Sequence, residues 1–193
     1  MFTSNKGNSR SSLVYGLLMS VMGIALLGAC STAPHTDDDR YELRKDADSA
    51  LTLARSNSRN FDSLIRDAPG FAVFPSVGKA GAGVGGAYGR GIVYANGTPV
   101  GYTDLSQATI GAQLGGQTYT QILVFENVNA LNRFREGNYE FSAQATAVAL
   151  KSGEGANAKF RDGVAVFTMA ERGLMAEAAV GGQKFSYQAF ASR

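Results

Sequence analysis

Between positions 81 and 91, glycine fills every odd-numbered position except Ala87: Gly81, Gly83, Gly85, Gly89 and Gly91. Alternate residues of an extended strand line one face, so an extended 81–91 presents a face almost without side chains. Ala143, Ala145, Ala147 and Ala149 repeat the economy further along. Glycine weakens a strand, and marks a bulge, a sharp bend or the close approach of another group. The structural reading is a helix or second layer packed tightly on a strongly curved sheet. The alternative is a surface shaped to receive a ligand chain.

The rest of the chain fits around that segment. Residues 37–66 read as helix, capped by Thr36, with Asp37, Asp38 and Asp39 where the helix dipole favours negative charge. Leu43, Ala47, Ala50, Leu51 and Ala54 recur at spacings of three and four and form one apolar stripe. Phe61, Leu64 and Ile65 resume it after a weak point at Ser56-Asn57-Ser58, which allows two helices or one bent helix. Pro69-Gly70 ends the helical region.

Phe71-Ala72-Val73-Phe74 reads as a short strand closed by Pro75. Asn96-Gly97 between Ile92-Val93-Tyr94 and Val100-Gly101-Tyr102 has the pattern of a hairpin. Strands follow at about 107–117, 119–125, 139–150, 163–168, 174–180 and 184–190. A short helix lies at 129–135 and a polar loop at 151–162. The expected fold is α+β: an N-terminal helix region on a curved, mostly antiparallel, glycine-rich sheet, with one short internal helix.

The N-terminus has a different composition. Lys6 and Arg10 precede an apolar run over 13–27, and Leu27-Gly28-Ala29-Cys30 follows. A basic start, a short apolar run and small residues at the cut describe a secretory signal, and the run is shorter than the roughly 20 residues of a membrane span. The cut region resembles the lipobox of bacterial lipoproteins. The expected organisation is a cleaved signal at 1–29, a lipidated polar tether at 30–36 beginning with Cys30, and one domain at 37–193. Cys30 is the only cysteine, and lipidation accounts for an unpaired one in an exported chain. Ser31, where enterobacterial inner-membrane lipoproteins tend to carry Asp, favours the outer membrane, with the protein facing the periplasm.

Removing the signal removes Lys6 and Arg10. The chain's 18 basic and 16 acidic residues then become 16 of each, and electrostatic attraction to nucleic acid loses its support. Gly81-Ala82-Gly83-Val84-Gly85-Gly86 matches G-x-G-x-x-G, but Ala87-Tyr88-Gly89-Arg90-Gly91 is a poor helix start, so no nucleotide site is expected. The only histidine, His35, lies in the tether without partners, and no G-x-S-x-G is present. Neither catalytic residues, a metal nor a cofactor is expected. Asp104, in Tyr102-Thr103-Asp104-Leu105-Ser106, reads as a turn cap. Arg40, Arg44, Arg55 and Arg59, at offsets of 4, 11 and 4, fall near one helix face. That suits an amphipathic helix on a membrane surface, or a solvated face of mixed charge, since six acids are interleaved.

From about Asp67 the sequence resembles the SYLF domain family. The resemblance rests on Gly70-Phe71-Ala72-Val73-Phe74-Pro75, the run from Lys79 to Gly91, Gly101-Tyr102 to Gly115, Leu123-Val124-Phe125 with Ala130-Leu131 and Phe134, Gly173-Leu174-Met175, and Gly182-Gln183-Lys184-Phe185. It implies lipid binding: eukaryotic members bind phosphoinositide membranes, some fungal members bind and bundle actin, and bacterial members are commonly exported. In a periplasm, anionic phospholipids replace phosphoinositides as the expected partner. The expected function is therefore a non-enzymatic lipid-binding domain of an outer-membrane lipoprotein. Arg40, Arg44, Arg55, Arg59, Lys79, Arg90 and Lys184 would meet head groups. The alternative is an envelope structural or protein-interaction module.

Overall fold

The computed structural model describes residues 32–193 except 138, 142–145, 151–157, 171–176, 180–181 and 192–193. The expected signal, Cys30, Ala143 and Ala145 lie outside the described residues, as do parts of the expected 151–162 loop and 174–180 strand.

The helical region is two helices, α1 (Asp37–Asn57) and α2 (Arg59–Asp67). Thr36 caps α1 by accepting from Asp39 N–H, and three aspartates occupy its first turn. Ser58, extended at φ −148°, ends α1 and caps α2 through its hydroxyl. The helix breaks there because a capping serine offers the next turn a better acceptor than the α1 backbone does. Ala47, Leu51 and Ala54 of α1, with Phe61 and Ile65 of α2, are buried.

Two very long strands follow, β1 (Gly70–Ala95) and β2 (Thr98–Phe125). They form one antiparallel hairpin closed by Asn96 and Gly97, with φ of 49° and 75°, the left-handed pair that a tight hairpin turn requires. The strand expected to close at Pro75 does not close. The register shifts between Phe74 and Val77, so Pro75, which has no N–H to give, sits in a bulge and the strand continues. β2 likewise spans what the sequence suggested was a hairpin arm and two further strands.

The hairpin doubles back on itself. A Cβ added to Gly70 would meet Tyr94 O at 2.6 Å, at Gly89 it would meet Ser76 O at 3.0 Å, and at Gly91 it would meet Val73 O at 2.5 Å. Asn96 N–H donates to Pro69 O at 3.0 Å, and the Phe71 and Tyr94 rings stack 4.8 Å apart. As one residue number rises the other falls. The first and last parts of β1 therefore run side by side in opposite directions, about a bend near the bulge between Gly81 and Gly83. The packing explanation of the odd-numbered glycines holds at Gly89 and Gly91, where the neighbouring backbone occupies the space a side chain would need.

Helix α3 (Val128–Arg135) follows β2, capped by Asn127. The remaining described strands are β3 (Tyr139–Glu140), β4 (Thr146–Ala149), β5 (Val164–Ala170), β6 (Glu177–Ala179) and β7 (Lys184–Ala189). The sheet order is β3-β7-β2-β5-β4-β6, with β1 beside β2, and among the described pairs only β4–β5 is parallel. β2 pairs with β7 over Gly101–Ser106 and with β5 over Tyr119–Phe125. The sheet separates two cores. One face packs Phe71, Val73, Ile92, Ile122 and Phe167 under α1 and α2. The other packs Phe74, Leu105, Leu123, Phe125 and Phe185 against Phe134 of α3. The fold is α+β, as expected.

Candidate functional site

Beyond the N-terminus of α1, the helix-bearing face of the sheet continues as an open shelf. Residues directly opposite each other on neighbouring strands share a face, which places three rows there. Ile92, Tyr102 and Gln188 form the first, Arg90, Asp104 and Ser186 the second, and Tyr88, Ser106 and Lys184 the third. Residues 32–34 cross this shelf. The Thr32 and Ser186 hydroxyls lie 3.2 Å apart, and Ala33 N–H donates to Gln188 Oε1 at 3.2 Å. Arg40 Nε donates to Pro34 O at 3.0 Å. Ala33 is buried. This part of the expected tether is thus strapped to β7, while His35 is exposed.

A cleft of about 480 Å³ opens beside the strap, lined by Ala33, Asp37, Arg40, Tyr41, Arg44, Tyr102, Gln188 and Phe190 among others. Its two cations differ. Arg40 is paired with Asp37 at 2.9 Å. Arg44 makes no ion pair among the described residues, and its guanidinium lies over the Phe190 ring, 4.2 Å from the centroid. That contact holds the head group in place without neutralising it. Along the outer side of α1, Tyr41 and Leu53 are more than half exposed. The inner side is fixed by Tyr94, which donates to Asp48 Oδ1 at 2.7 Å. Burial, then that acceptor, pushes the Tyr94 phenol far above its usual range.

The other predicted basic residues divide into three groups. Arg90 and Lys184 lie on the shelf, each beside a carboxylate: Arg90 Nε is 3.9 Å from Asp104 and Lys184 is 3.5 Å from Glu140. Lys79, at the glycine bend, lines a second shallow cleft with Tyr88. Arg55 and Arg59 belong elsewhere. Arg55 Nε is bonded to Asp62 of α2 at 2.7 Å, and Arg59 is an exposed first residue of α2. The break at Ser58 therefore ends the single basic helix face expected from offsets of 4, 11 and 4.

Asp104 corrects another expectation. It caps no turn and stands inside β2, between Arg90 and Ser186. Tyr88 donates to it at 3.3 Å. Burial pushes its carboxyl above the usual carboxylate range, against the opposing influence of Thr32, Arg90, Tyr88 and Ser186. The partnership with Arg90 was not legible before the register was known, since only pairing brings residues 90 and 104 together.

Among the described residues, no group of three or more His, Cys, Asp or Glu side chains could hold a metal ion. None of their helices is long and apolar enough to cross a membrane. The shelf is thus an array of guanidinium, ammonium, hydroxyl and aromatic groups beside a strapped N-terminal segment, with the Asp104 and Glu140 carboxyls next to Arg90 and Lys184 and Arg44 left without an ion pair among the described residues. Such groups bind anions and interfaces through hydrogen bonds and charge.

The chain is 27% identical over 147 residues to beta cell expansion factor A of Aeromonas veronii, which covers 76% of this chain and 56% of that protein. The chain thus spans only about half the length of this relative. Residues 106–191, from the middle of β2 through β7, match the Ysc84 family, described as Las17-binding protein actin regulator. Over that stretch the chain is similar to the family that the sequence resembles.

Proposed function

We propose that this protein is a non-enzymatic lipid-binding domain, held at the outer membrane by acyl chains on Cys30 and contacting anionic phospholipid through the shelf beside residues 32–34. The observation that carries this reading is the strap. Cys30 precedes Thr32 by two residues, and consecutive Cα atoms are 3.8 Å apart. A lipid on Cys30 would therefore be tethered to the strap by two residues and its own linkage, and a membrane that took it up would be held near the shelf. Arg44, held by Phe190 and free of a carboxylate partner among the described residues, is the cation best placed for a phosphate. Tyr41 and Leu53 supply interfacial contact.

The anchor holds the domain and the shelf sets its orientation. Several acyl chains give stable attachment, each buried CH₂ contributing about 0.8 kcal/mol. The second reading, a protein-interaction module of the envelope, is favoured by the family's description as binding Las17.

The test is co-sedimentation of the chain from residue 31 onward, without acyl chains, with neutral and anionic vesicles at low and high salt. Binding that requires anionic lipid and weakens with salt supports the head-group reading. Absence of binding to every vesicle rejects it and leaves the protein-interaction reading.

A further inference from the structure

Among the described residues, the sheet face opposite α1 carries two buried polar features on β2: Thr103, which donates to Ser186 O at 2.7 Å, and one layer of amides. Gln107, Tyr119 and Gln121 share the odd-numbered face of β2 with Leu105 and Leu123, and Gln183 enters from the start of β7. Gln121 and Gln183 are fully buried and doubly joined. Gln121 Nε2 donates to Gln183 Oε1 at 2.8 Å, and Gln183 Nε2 returns to Gln121 Oε1 at 3.2 Å. Gln183 Nε2 also reaches Gln107 Oε1 and the Tyr119 hydroxyl, each at 3.5 Å. Thr168 stands directly opposite Gln121 on β5. Its hydroxyl is buried and has no hydrogen-bond partner among the described residues.

A buried hydroxyl without a partner destabilises a fold, and native interiors rarely leave one. We propose that this layer is a binding site for one small uncharged molecule that both donates and accepts hydrogen bonds, and that the molecule is water. Thr168 Oγ1 and the amide of Gln121 hold it. The site's chemistry is neutral throughout. The layer consists of amides, a hydroxyl and a phenol, and burial pushes Tyr119 up to about 12, so it stays protonated. A phosphate or carboxylate would be buried there without a counter-ion. Water fits the demand, since buried waters bond about three polar partners. The position also matters. The layer lies where β2 leaves β7 at Ser106 and meets β5 at Tyr119; the Gln121–Gln183 amide pair joins the two halves of the sheet, and the water ties Thr168 of β5 into that pair.

Two measurements test this on the full folded domain. The first looks for cross-relaxation between the Gln121 side-chain amide and long-lived solvent water by NMR, in the unaltered protein. Its absence overturns the proposal, and this holds even if a variant fails to fold. The second compares Thr168→Val, which keeps the shape and removes the hydroxyl, with Thr168→Ser, which keeps the hydroxyl. If water is bound, Thr168→Val raises the unfolding equilibrium constant about tenfold and abolishes the water signal, while Thr168→Ser retains the signal. If the hydroxyl is an orphan, Thr168→Val leaves stability unchanged or improves it, and the proposal fails.

Discussion

Gly91 lies so close to Val73 that a Cβ on it would stand 2.5 Å from the Val73 carbonyl oxygen and 2.9 Å from the Phe74 ring. The two residues are 18 positions apart on one strand. The contact therefore exists only because β1 folds back along itself. Backbone cannot move aside as a flexible side chain can. Gly91→Ala is expected to destabilise the fold by about 1–3 kcal/mol, the usual cost of overpacking. Gly78 is the control: a Cβ there meets nothing within 4 Å, and Gly78→Ala should stay within about 0.5 kcal/mol. Urea midpoints of the two variants separate a bend set by contact from one set by glycine flexibility.

How far the sequence could be read follows from the same pair. The alternating glycines could be read as a place of bending or close approach, because a strand face without Cβ atoms leaves room for a neighbour. What approaches could not be read, since the partner of Gly91 is β1 itself and no local pattern encodes a strand returning across its own face. The helices were readable for local reasons: Thr36, Ser58 and Asn127 cap through their own side chains. The shelf was readable only in part. Arg40 and Arg44 were within one turn of each other, but Arg90, Asp104 and Ser186 form a row only once three strands are in register. Gln121 offered a signal that was missed. It is a polar residue on the face that carries Leu123 and Phe125, and so is an inward amide that needs a partner.

The docking of α1 depends on one polar contact more than its length suggests. Its buried residues are Ala47, Leu51 and Ala54, two of them too small to bury much area. Tyr94, 4% exposed, donates to Asp48 at 2.7 Å. Tyr94→Phe removes that bond and keeps the ring against Phe71. A loss of about 1–2 kcal/mol is expected. Amide hydrogen exchange should quicken in α1 more than in β2, because the lost bond holds helix to sheet. Equal quickening in both elements would show that the bond serves the whole fold instead.

Asp104 predicts a pH dependence. Burial raises its carboxyl above the usual 3.8, so between 3.8 and the raised value the folded chain binds this proton more tightly than the unfolded chain does. Stability from this group therefore rises as pH falls through the raised value, and it is lowest when the carboxylate is charged at neutral pH. Asp104→Asn is uncharged at every pH and can still accept from Tyr88. It should be more stable than the parent at pH 7, with the advantage shrinking towards nothing below pH 4. Denaturant midpoints at the two pH values measure the difference. A less stable variant at pH 7 would mean that Arg90 and Thr32 outweigh the burial of the charge.

Arg44 and Arg55 sit 11 residues apart on α1, and the structure gives them opposite duties. Arg55 is bonded to Asp62, and that bond leads the causes that hold the Asp62 carboxyl below its usual range. The pair joins α1 to α2 and is present only above the pH at which Asp62 takes up a proton. Arg55→Glu should lower the melting temperature while folded molecules bind anionic vesicles as before. Arg44 makes no ion pair among the described residues and rests on the Phe190 ring, a contact of about 0.5–1 kcal/mol at an exposed site. Arg44→Glu should therefore change melting little and weaken binding to anionic vesicles severalfold at low salt. Near 1 M salt, where screening acts within about 3 Å, the two variants should bind alike. If Arg55→Glu instead matched Arg44→Glu in lost binding, the membrane contact would extend along the whole of α1 and not lie at the end beside the strap.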